Sequence, residues 1–124
     1  MSTLRVTTIT TPSGGQPTID GLARAWVNFN GTGTVAIRAS FNVSSITDNG
    51  TGDYTVNFTT AMPDANYSVS ATAGFNGAGY GRIAEFPTNT TTPQTINSIR
   101  GVTYTANGAT TLTDVSVISV SIFR

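Results

Sequence analysis

With 124 residues, six basic and six acidic side chains and a net charge of zero, the chain has no basic face that could track a phosphate backbone, which argues against nucleic-acid binding. Cysteine and histidine are both absent. Disulfides, thiolate nucleophiles, imidazole metal ligands and the usual general base near neutral pH are absent with them. The length fits a single domain, and a composition rich in Thr, Ser, Asn and Gly, with no lysine, points away from helix and toward an all-β fold.

The opening "MSTLRVTTITTPSGG" lacks the apolar run of a secretory signal, and no later stretch approaches the roughly 20 apolar residues of a membrane span. The expected product is made in the cytoplasm and does not insert into a membrane. "LRVTTIT" reads as a short strand-like arm. "TPSGGQPTIDG", with Pro12, Gly14, Gly15, Pro17 and Gly21, reads as an extended connector. Residues 1–21 are therefore expected to form an attachment arm and connector, and residues 22–124 a β-sandwich head domain. An arm of this length cannot fold alone and should pair with another chain or another protein.

Next in order, "ARAWVNFN" places Ala25, Val27 and Phe29 on one face of a strand and Trp26 on the other. Trp26 should then fill a second sheet's core or make an intersubunit contact. "TVAIRASFNV" alternates so that Val35, Ile37, Ala39, Phe41 and Val43 share a face, which predicts one long half-buried strand. Tyr54, Val56 and Phe58 repeat the pattern, as do Tyr67, Val69, Ala71 and Ala73. In "TDVSVISVSIF" the apolar phase slips between Val117 and Ile118, which calls for a β-bulge or a change of face. Turn-rich segments between these runs suit an antiparallel, jelly-roll-like β-sandwich.

"TDNGTGD" is the one segment with a metal-like appearance. Asp48, Asn49 and Asp53 offer at most three side-chain oxygens in a spacing foreign to calcium loops, so Asp48 and Asp53 are weak cation candidates. Asn49-Gly50 between two apolar-alternating runs is a strong hairpin signal, and the turn is the favoured reading. The six acids show no paired-carboxylate constellation, four of them sitting in turn contexts. No catalytic residue and no cofactor is expected. "GFNGAGYGR" lacks the following helix and the spacing of a phosphate cradle. It does offer Phe75, Asn76, Tyr80 and Arg82 on a loop, suited to stacking on sugars or to a protein contact. With Tyr104 from a further loop over 104–111, these are the receptor-contact candidates.

Across residues 23–69, the run "AWVNFNGTG", "FNVSSITDNGTGDYTVNF" and "AMPDANY" resembles a domain that recurs in structural proteins of tailed bacteriophages, notably tail fibres of marine and cyanobacterial phages. The opening "MSTLRVTTITTPSGG" is similar to short attachment repeats near the start of such fibres. The resemblance implies a non-enzymatic virion component, a homotrimer whose β-domain is a distal head. Residues 1–11 would bind other tail proteins, and the loops a host-surface glycan or protein. A second reading of the same sandwich is a capsid decoration or cement protein, or a tail adaptor, with a purely structural role.

Overall fold

The computed structural model describes residues 2–13, 21–74, 81–87, 94–106 and 110–124. Among these, the regular structure is entirely β: β1 (Ala23–Asn30), β2 (Ala36–Phe41), β3 (Val43–Gly50), β4 (Asp53–Phe58), β5 (Ser68–Ala73), β6 (Arg82–Glu85), β7 (Ser98–Ala106), β8 (Thr110–Leu112) and β9 (Ile118–Phe123). One sheet runs β2-β1-β9-β5, the other β3-β4-β7-β6, with β8 also on β7. Every pairing is antiparallel. The protein is a two-layer β-sandwich.

The alternation seen in the sequence builds the core. Ala25, Val27 and Phe29 of β1 and Ile118, Val120 and Ile122 of β9 face Val43, Tyr54, Val56, Phe58 and Ile99 of the other sheet, all buried. Each such large apolar side chain contributes about 1.5–3 kcal/mol on leaving water. Phe29 meets Tyr54 edge to face across the layers, with ring centroids 5.3 Å apart. The Tyr54 hydroxyl reaches the Gly31 carbonyl and Asp114 Oδ1, both at 2.9 Å, two acceptors that share one proton.

The long strand expected over residues 34–43 is two strands in two sheets. Asn42 adopts a left-handed conformation, φ 55°, which asparagine tolerates better than most residues. Its side chain secures the corner. Nδ2 donates to the carbonyls of Arg24 and Thr60, each at 3.1 Å, and Oδ1 accepts the Thr60 N–H at 2.7 Å. A register shift opposite Asn28 and Phe29 then reverses the faces along β2. Phe41 pairs with outward Trp26, and Ile37 with inward Phe29. All six β2 residues are exposed, so this is an open edge strand and not the half-buried one its pattern suggested.

The "NGTG" hairpin is present, but its turn is displaced. Gly50 pairs with Asp53, leaving Thr51 and Gly52 as the loop, with a register shift at Asn49. Positive φ falls on Gly50 (131°) and Gly52 (65°), not on Asn49. The phase slip before Ile118 marks a change of sheet: residues 113–117 cross from β8 in one layer to β9 in the other. Along the way Val115 is buried. Its carbonyl takes the Gly31 N–H at 2.9 Å, the Val117 carbonyl takes that of Gly74 at 2.7 Å, and Asp114 Oδ1 takes that of Gly52 at 2.7 Å.

Candidate functional site

Of the loop candidates, Phe75, Asn76 and Tyr80 lie outside the described residues. Arg82 opens β6, and Tyr104 lies within β7. The expected 104–111 loop is therefore largely strand: β7 runs to Ala106 and β8 resumes at Thr110, because Tyr104, Thr105 and Ala106 pair with Leu112, Thr111 and Thr110. Arg82 pairs with Thr105 and Ile83 with Tyr104. Adjacent positions alternate faces, so Arg82 and Tyr104 point to opposite sides of the sheet. Tyr104 instead shares the outward side with Glu85, its hydroxyl 3.5 Å from Oε2, and with exposed Ile83 and Leu112.

Asp48 and Asp53 are also separated. Asp48 is the cross-strand partner of Tyr54, so Asp53, one residue before Tyr54, lies on the other face. Asp48 Oδ1 accepts the Gly50 N–H at 3.0 Å, a local turn contact. Both oxygens of Asp53 are occupied by Arg100, Nε at 2.8 Å and Nη2 at 2.6 Å. The guanidinium's hydrogen bonds hold the Asp53 carboxyl below the usual range. Among the described residues, no three His, Cys, Asp or Glu side chains gather where a metal could sit. Of the other described acidic side chains, Asp114 is engaged as above, Asp64 binds both Arg124 and the Asn66 N–H, and Glu85 has only the distant Tyr104 hydroxyl.

The structure assembles a feature the sequence did not announce, an aromatic row on the outer face of the first sheet. Trp26 pairs with Phe41 on one side and Ser121 on the other, and Phe123, two residues beyond Ser121, shares their face. Exposures are 38% for Trp26, 43% for Phe41 and 38% for Phe123, so none of the three fills a core. Hydroxyl and amide groups border them, including Asn28, which donates to Ser119 Oγ at 2.9 Å. Arg24 Nε is tied to the Arg124 carbonyl at 2.9 Å. Arg124 in turn grips Asp64, its hydrogen bonds depressing that carboxyl to about 2. The row is thus apolar with a near-neutral border. The only sequence hint was Trp26 standing out of phase with its neighbours; Phe41 was assigned to the opposite face.

The N-terminal segment also carries uncovered apolar groups. Residues 2–10 are exposed throughout, Leu4 at 87%, Val6 at 53% and Ile9 at 56%, and residues 2–13 form no strand. No protein-family model, characterised protein or solved structure matches the chain.

Proposed function

We propose that the chain is a virion component of a tailed bacteriophage, the β-sandwich head of a trimeric tail-fibre or tail-tip protein that attaches to a host surface and carries out no catalysis. The observation that carries this reading is the continuous run over residues 23–69, whose resemblance to phage fibre domains spans β1 through β4 and so takes in strands of both sheets and the corner between them. Two features support it. The aromatic row and the exposed arm provide apolar surface for assembly, since contiguous apolar groups left in water mark contact sites. Part of the second sheet's outer side is polar, where Asn57 Nδ2 donates to Ser45 Oγ and Thr47 Oγ1 at 3.1 and 2.9 Å.

Light scattering on the full chain, followed by a glycan-binding screen, tests this reading. A mass three times 12.9 kDa with retention of a surface glycan fits a fibre head. A stable monomer without glycan affinity sinks the reading and moves the decoration or adaptor role to the front.

A further inference from the structure

The exposed arm and the exposed edge strand β2 have matching patterns. On β1, Trp26 and Phe29 stand three residues apart, one outward and one inward, and they pair with Phe41 and Ile37 of β2, which stand four apart. The extra residue is absorbed at the register shift around Arg38. A strand on the free side of β2 that sets one apolar group outward beside Phe41 and another inward beside Ile37 needs an odd spacing between them, such as three residues. Phe41 and Ile37 are 43% and 37% exposed. In the arm, Val6 and Ile9 stand three residues apart and so point to opposite faces of an extended chain. Antiparallel docking sets Val6 beside Phe41 and Ile9 beside Ile37, with Leu4 continuing the outward row.

We propose that residues 4–10 of one copy add as a strand to the β2 edge of a second copy, so that the chain assembles head to tail through its arms. This deepens the reading of the protein as a self-assembling virion head and rests on it. In this register residues 6–10 run the length of β2, Ala36–Phe41, and Leu4 and Arg5 extend past its end. Docking supplies ladder partners to an edge that is otherwise open and covers apolar side chains on both components. The shifted register and Arg38 blunt the edge toward strands of regular pattern, so they select for a segment with the arm's spacing. Each copy then gives one arm and receives one, a heterologous contact that suits the closed ring of the trimer proposed above.

The test uses three full-length chains: wild type, an arm variant V6D/I9D and an edge variant I37D/F41D. Light scattering should show wild type assembled and the arm variant at one third of its mass. Circular dichroism confirms that both variants retain the β-spectrum; should the edge variant unfold, the arm variant alone decides. Mixed in equal amounts, the variants should form a dimer, since one retains the edge and the other the arm. Trp26, the single tryptophan, lies one strand in from β2, and its emission should shift to the red on dilution of wild type. An oligomer that persists in V6D/I9D overturns the inference while leaving the assembly reading intact; a monomeric wild type sinks both. Wild-type emission that is independent of dilution but lost in V6D/I9D means the arm folds back on its own edge, and overturns the inference as well.

Discussion

Gly101 lies directly beneath the ring of Phe86, so close that a Cβ at position 101 would occupy the space of the ring carbons. Gly101 sits on the inner side of β7, opposite Tyr54 of β4, and Phe86 is buried over it. Gly101→Ala must expel the ring or bend the strand, an overpacking cost of about 1–3 kcal/mol. Thermal unfolding should show a drop of roughly 4 °C for each kcal/mol in a chain of this size. Adding Phe86→Ala should recover part of the Gly101→Ala loss, and strict additivity of the two changes would contradict the contact.

The Asn42 corner orders three variants. Asn42→Gly keeps easy access to the left-handed backbone but loses the three side-chain hydrogen bonds to Arg24 and Thr60. Asn42→Ala loses the bonds and strains the backbone as well, about 1–2 kcal/mol more for a residue with a Cβ at this φ. Denaturant midpoints should rank Asn above Gly above Ala. An alanine variant as stable as glycine would mean the corner relaxes out of the left-handed region.

Acid sensitivity should come from two carboxylates. Asp53 is lowered chiefly by its hydrogen bonds to Arg100, and Asp64 is lowered to about 2 chiefly by those to Arg124. A depressed folded-state value contributes stability that is complete above the unfolded value of about 4 and is lost as pH falls through the folded one. The melting temperature should therefore decline from pH 4 toward pH 2. In D53N/D64N that decline should be shallower, and an identical slope would show that neither pair is formed in solution.

Alkali acts in the opposite sense. Burial raises Tyr54, and it pushes Tyr67 up to about 12. A raised value contributes stability present below the unfolded value of about 10 and lost as pH climbs above it. Phenolate absorbance of these two residues should appear together with loss of the β-sheet signal. Tyr67→Phe gives up hydroxyl contacts to the Thr95 and Ser98 carbonyls at 2.9 and 3.1 Å. That variant should be less stable at neutral pH yet lose less of its stability between pH 10 and 12.

The strands that sequence periodicity placed well are those whose core face is apolar throughout, such as Tyr54, Val56 and Phe58 on β4. The pattern failed where packing needs something else. On β7 the inward set is Ile99, Gly101 and Thr103, while Val102 and Tyr104 point outward. Gly101 makes room for Phe86, and buried Thr103 donates to the Thr113 carbonyl at 2.6 Å, so beyond Ile99 the hydrophobic alternation along this strand is inverted. Residues 34–43 misled for a different reason: a period of two persists through Asn42, although the backbone turns there from one sheet to the other. The aromatic row depends on which strands become neighbours, and β1 meets β9 across about ninety residues of chain, a pairing that local periodicity does not encode.

That long-range pairing also governs when the protein can form during synthesis. β9 sits between β1 and β5, so the first sheet lacks a middle strand until residues 118–123 have left the ribosome. Until then β1, with Val27 and Phe29, has only β2 beside it, and β5, with Val69 and Ala71, has no strand beside it within the layer. The nascent chain must hold those segments apart from other chains until β9 emerges, and the layer closes only with that strand, in the slow regime of folds dominated by distant contacts.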